Sequence, residues 1–253
     1  MKKKIPSVLQ TSSRCLDLYD SFAYATYLNY SNSITAKNIV TIKRLLNSNL
    51  FVVPSFIEKK AWGFEKIFYP FTNKLFKVLH TTDGQTSLQL HPLKSEMLIA
   101  LNEETVVCDD KNEFRLGFFQ KTVISRNTIH SMKQGAIAFE EQDNVLFDDD
   151  ETIRIEDYHN RKINCEKEYY KLLLPSLKNK IKIKNVDVSF SHLNSKNDRF
   201  LFLATGTVTL ESDGEKILLD RKNELYFIGK GITILEINGI VYASKCVYYK
   251  MEV

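Results

Sequence analysis

The chain has 253 residues, 43% of them hydrophobic and 26% charged, enough for a sizeable core and unlike a disordered or fibrous chain. A formal charge of +4, from 35 basic and 31 acidic residues, is too small to mark a nucleic-acid-binding protein. Phe and Tyr are abundant (16 and 12) and Gly and Pro scarce (9 and 5), which favours strands.

At the N-terminus the apolar stretch 5–9 is broken by Pro6 and Ser7 and does not read as a signal peptide. No stretch reaches the ~18 apolar residues of a membrane span, so a cytoplasmic protein is expected. Residues 1–50 read as a helical extension. Ile39, Ile42, Leu45 and Leu46 recur at helical spacing, with Asn32 or Ser33 as a cap, and such a helix would pack across a barrel mouth. From residue 51 short alternating runs follow one another, at 75–80, 86–90, 97–101, 105–108, 114–119, 122–125 and 136–139, with Asp83-Gly84 as a turn. Close-spaced short strands predict a sandwich or barrel over 51–163.

Residues 164–176 read as a linker helix ending before Pro175, and the Lys-rich stretch behind it as a surface connector. A second β block then runs to the C-terminus, with strands at 200–204, 206–210, 216–219, 225–228, 232–237 and 241–249. Its turns are expected at Asp213-Gly214, 229–231 and Asn238-Gly239. It matches the first block in length and rhythm, so it is expected to be a second, weaker copy of the same fold, which with the linker helix makes up residues 164–253. Cys15, Cys108, Cys165 and Cys246 lie far apart with no Cys-x-x-Cys pair, which predicts free thiols, neither a zinc knuckle nor a disulfide scaffold.

The most informative segment runs from Thr86 to Glu96. On a strand, Gln89 and His91 leave the same face. Glu96 opens the next strand, where a hairpin can bring it beside them, and His130 ends a later one. One amide, two imidazoles and one carboxylate suit a divalent ion: zinc, manganese, iron, cobalt or nickel. A histidine on a strand is more often structural, so spacing alone leaves both readings open.

The segment resembles the cupin motifs, in which a glycine-led strand carries two ligands one residue apart, then a Glu, and a second motif supplies a final His. Ser87, Leu88, Gln89, His91 and Glu96 reproduce the Ser-Leu-Gln-x-His…Glu pattern of mannose-6-phosphate isomerases of the bifunctional isomerase/guanylyltransferase type. His91-Pro92 is similar to the zinc-dependent class. Lys60-Ala-Trp-Gly-Phe-Glu65 resembles that family's basic-x-Trp-Gly opening, Lys77 falls where a Lys precedes the turn, and Glu140-Glu-Gln142 resembles its Glu-x-Gln. Ile153-Arg-Ile-Glu-Asp157 with Arg161 resembles its closing motif. Where the family has Pro and Gly before the last His, this chain has Ser125 and Asn127; Asn tolerates the left-handed conformation. The basic residues expected just after His91 are replaced by Pro92 and Leu93, with Lys94 next.

The resemblance implies an all-β protein of two cupin (jelly-roll) barrels in tandem, the second degenerate and metal-free. It implies a divalent metal, zinc first, on Gln89, His91, Glu96 and His130, and aldose–ketose isomerisation of a sugar phosphate. Arg154, Glu140 and Lys77 would be catalytic, and Lys94, Gln142 and Arg161 substrate-binding. No nucleic-acid or membrane partner is expected; a homodimer fits such a barrel pair. Another cupin enzyme (a sugar epimerase or an oxygenase) or a non-catalytic metal- or carbohydrate-binding module would use the same ligands.

Overall fold

The computed structural model of the chain describes residues 50–53, 55–68, 74–143, 152–160, 163, 181–186 and 197–245. Those residues form strands from β1 (Leu50–Val52) to β17 (Thr233–Lys245) and contain no helix. The helices expected within 1–50 and 164–176 lie outside the described residues. The chain divides into two compact units, one of Ser55–Pro70 and Lys74–Val186, the other of Met1–Pro54, Phe71–Asn73 and Asp187–Val253. The sequence reading draws its boundaries at 51 and 163. By pairing, β1 joins the sheet of the second unit, and β13 (Lys182–Asn185) joins the first.

The first unit is built on a seven-stranded antiparallel sheet in the order β13-β9-β6-β11-β4-β3-β2. Its other strands are β2 (Ser55–Lys60), β3 (Gly63–Phe68), β4 (Leu75–Thr81), β6 (Glu96–Ala100), β9 (Gln120–Ile124) and β11 (Ile137–Gln142). Two small sheets accompany it: β10 (Ser131–Met132) with β7 (Val106–Cys108) and β8 (Glu113–Arg115), and β12 (Ile153–Glu156) with β5 (Leu88–Leu90). A bridge between Gln89 and His130 ties β5 to the residue that precedes β10.

Alternation decides which side chains enter the barrel. Leu79, Leu98, Ala100, Ala138 and Ile124 from the large sheet pack with Val107 and Met132 from the small one and with Trp62. On β5 and β12 the odd and even positions separate cleanly. Leu88, Leu90, Ile153 and Ile155 cluster with Ile129 on one side, while Gln89 and Arg154, register partners, share the other. Ala61-Trp62 turn the chain between β2 and β3, and Gly63 opens β3 opposite Lys60. Gly63 has φ +149°, and a Cβ there would lie 2.0 Å from the His80 carbonyl oxygen, so no other residue fits. The strand expected at 114–119 stops at Arg115, because Gly117–Gln120 form a turn in which Phe119 is left-handed (φ 61°).

The second unit is a five-stranded sheet in the order β1-β16-β14-β15, with β17 on the other side of β14. β14 (Arg199–Ser212), β15 (Glu215–Leu219) and β16 (Glu224–Ile228) enclose Leu201, Leu203, Val208, Tyr226 and Ile228. Asp213-Gly214 turns between β14 and β15 as expected, both residues at positive φ. The turn expected at Asn238-Gly239 and the break before Gly206 are corrected: both lie inside long strands. Gly206 and Gly239 are register partners, and a Cβ on either would fall within 2.0 Å of the opposite backbone. The glycines serve close approach between strands.

Candidate metal centre

Three segments deliver the cluster. β5 presents Gln89, and His91 follows it one step on. The chain reverses through Pro92–Ser95, so that Glu96 opens β6 in register with Gln142 and Ile124. Asn127 adopts the left-handed conformation foreseen for it (φ 58°), donates its backbone N–H to the His91 carbonyl at 2.9 Å, and so brings His130 back against Gln89.

The ligating atoms of His91, Glu96 and His130 all lie within 4.8 Å of one another, and all three residues are buried. Glu96 Oε1 is 3.2 Å from His91 Nε2, and Glu96 Oε2 is 3.1 Å from His130 Nε2. The far side of each ring is also held. His130 Nδ1 donates to the Thr128 carbonyl at 3.0 Å, and Thr152 Oγ1 lies 3.3 Å from His91 Nδ1. Both Nε2 atoms therefore point inward, the arrangement a metal-binding histidine needs. Lys94 Nζ sits 3.0 Å from Glu96 Oε1; a carboxylate has lone pairs for both an ammonium and a metal.

Gln89 stands beside the three. Its Oε1 accepts from Ser87 Oγ at 2.6 Å, and its Nε2 faces His91 Nε2 at 3.3 Å. In this orientation the amide offers its nitrogen to the centre. A half-turn presents Oε1 instead, with the Ser87 hydroxyl then accepting from Nε2. The donor set fits a divalent ion: two imidazoles with oriented lone pairs, one carboxylate and one reversible amide.

The electrostatics follow from burial and pairing. Desolvation pushes the Glu96 carboxyl up, but His91, Lys94 and His130 outweigh it and hold it well below the usual carboxylate range. Desolvation pulls the His130 imidazole down, yet its hydrogen bond and charge pairing with Glu96, together with the Thr128 carbonyl, lift it above the ordinary histidine value.

A cavity of about 270 Å³ opens on the cluster, lined by Gln89, Glu96 and His130 and also by Glu140, Arg154 and Trp62. Gln142 is fully buried and donates from Nε2 to Glu140 Oε1. Lys77 and Lys94, each 1% exposed, pair with buried carboxylates: Lys77 with Glu65 at 3.5 Å and Lys94 with Glu96. Arg161 lies outside the described residues. Thr128 and Thr152 were missed by sequence reasoning. Ser87 and Glu65 entered it only as motif matches, without a role; each lies two residues along a strand from a residue already singled out, Gln89 and Gly63. Thr152 is 61 positions from His91 and carried no signal.

No family model matches the chain, and no curated protein matches it by sequence. Solved structures do. The oxalate decarboxylase of Bacillus subtilis is 11% identical with a TM-score of 0.48, covering 79% of this chain and 78% of that one. The mannose 6-phosphate isomerase of Bacillus subtilis is 10% identical with a TM-score of 0.56, covering 74% of this chain and 96% of that one. That likeness shows the fold and the fold alone: the all-β cupin architecture foreseen from the motif around Gln89 and His91.

Proposed function

We propose that the chain is a metal-dependent aldose–ketose isomerase acting on a sugar phosphate, similar to mannose-6-phosphate isomerase, with zinc on Gln89, His91, Glu96 and His130. One observation carries the reading: the His91–Glu96–His130 cluster opens on a cavity whose wall also holds a carboxylate, Glu140, and a guanidinium, Arg154. The second unit is taken as the degenerate barrel of the pair.

Isomerisation moves one proton between adjacent carbons and another between their oxygens. A divalent ion at the cluster supplies Lewis acidity to those oxygens. The rest falls to side chains. Glu140 carries the proton between carbons, positioned by the Gln142 amide. Arg154, opposite Gln89 in register, faces the oxygen on which negative charge develops. Lys94 and Lys77 fix the carboxylates of Glu96 and Glu65 against which they pack.

The test is to load the purified chain with zinc, manganese, iron, cobalt or nickel and supply mannose 6-phosphate. Fructose 6-phosphate is expected with at least one metal. No turnover across a panel of hexose and pentose phosphates would overturn the reaction class, and oxygen consumption by the iron form would replace it with oxygenase chemistry.

A further inference from the structure

We propose that Asp143 positions His91 and so sets how tightly the centre holds its metal; this rests on the metal centre and not on the reaction assigned to it. The four ligands are held unequally. Glu96 opens β6 and is paired with β11 on one side and β9 on the other. Gln89 lies in β5 and exchanges two backbone hydrogen bonds with His130, at 3.0 and 2.8 Å. His91 lies one residue beyond the end of β5 and belongs to no strand. Its carbonyl accepts the Asn127 N–H at 2.9 Å, from a turn that the Thr128 N–H closes onto the Ser125 carbonyl at 3.1 Å. Where His91 sits therefore depends on two connections, 92–95 and 125–128.

Asp143 ties both connections to the end of β11. Its Oδ1 accepts the Ser95 N–H at 2.8 Å, and its own N–H donates to the Ser95 carbonyl at 3.1 Å. These bonds extend the β11–β6 pairing one step past Gln142 and Glu96, with a side-chain oxygen serving where a ladder would use the Asp143 carbonyl. The other carboxylate oxygen lies 3.5 Å from Arg126 Nη2, on the residue before Asn127. One carboxylate thus reaches the closing end of the segment that joins His91 to Glu96 and the turn that holds the His91 carbonyl. The two contacts differ in weight. A backbone N–H bonded to a carboxylate is charge-assisted. An ion pair whose side chains are 54 and 47% exposed is screened by water and contributes little. The bond to Ser95 is the one that holds His91 in place.

The test is zinc affinity of the full chain, read by chelator competition, together with the imidazole nitrogen resonances of the zinc form. With five histidines in the chain, each ring can be assigned by substitution. Asp143→Ala deletes both side-chain contacts and no ligand. It is expected to lower zinc affinity about 10-fold and to broaden the His91 ring resonances while those of His130 stay sharp. Asp143→Asn keeps an acceptor for the Ser95 N–H and loses the pairing with Arg126, and should bind zinc within about threefold of the unaltered chain. Arg126→Ala should bind within about twofold. The urea midpoint of the metal-free chain is expected to be the same for all three variants, which separates positioning from folding. Unchanged zinc affinity in Asp143→Ala overturns the proposal, and so does a loss that Asp143→Asn shares in full or that broadens His91 and His130 alike. Each of these leaves the centre, and the isomerase reading built on it, standing. An unaltered chain that binds no zinc overturns the centre and the proposal together.

Discussion

The two imidazoles of the centre are fixed from behind by different means. His130 donates Nδ1–H to a backbone carbonyl, which no substitution at Thr128 removes; His91 leans on the Thr152 hydroxyl. Thr152→Val keeps the shape and deletes the hydroxyl, and should lower metal affinity about 10-fold with the fold intact, as read by competition against a chromophoric chelator. His91→Ala removes a ligand and should abolish stoichiometric binding; unchanged bound metal in that variant would mean the ligand set is wrong. The same titration has a pH dependence of known sign. Ligation requires neutral imidazole, and in the metal-free cluster His130 holds its proton above the ordinary histidine value. Metal affinity should therefore rise with pH through that raised value and fall below it, with proton release on binding. Glu96, held well below the carboxylate range, is already ionised there and adds no step. A flat profile across neutral pH would show that His130 is not a ligand.

Among the elements, apolar strands were legible and polar ones were not. The apolar runs at 75–80 and 97–101 gave β4 and β6 to within a residue, because both are buried along nearly their whole length. The partly exposed β2 was missed, and the exposed, Lys-rich β13 was read as a surface connector although it pairs with β9. Gln89 and His91 were legible because side chains two apart on an extended chain share a face. The glycine signals were ambiguous. Asp213-Gly214 and Asn238-Gly239 look alike in sequence, yet the first turns the chain and the second lies mid-strand against Gly206. A turn needs φ > 0, a close crossing needs a missing Cβ, and glycine meets both demands. The two sites separate by substitution. A Cβ at Gly214 meets nothing within 4 Å, so Gly214→Ala should cost only about 1 kcal/mol, the strain of its φ. A Cβ at Gly239 would sit 2.0 Å from the Thr205 carbonyl oxygen. Gly239→Ala should therefore cost about 3 kcal/mol or more, seen as a lower urea midpoint.

At the level of the whole molecule, every residue of the centre comes from one compact unit: the ligands lie between Gln89 and His130, and Glu140 and Arg154 follow within it. Metal that binds the folded unit and not the unfolded chain stabilises that unit by mass action, by about 2.7 kcal/mol at a free concentration of 100 Kd. The second unit has its own core around Leu201, Val208 and Tyr226, and none of its described residues belongs to the cluster. Thermal unfolding followed calorimetrically should therefore respond unequally to zinc and to a chelator. The transition of the unit built on β2–β13 should move by several degrees, while that of the β14–β17 unit stays put. Gly239→Ala should move the second and leave the zinc-sensitive one. A single transition that shifts as a whole with both perturbations would show that the two units fold as one cooperative body. The metal would then stabilise residues that never touch it.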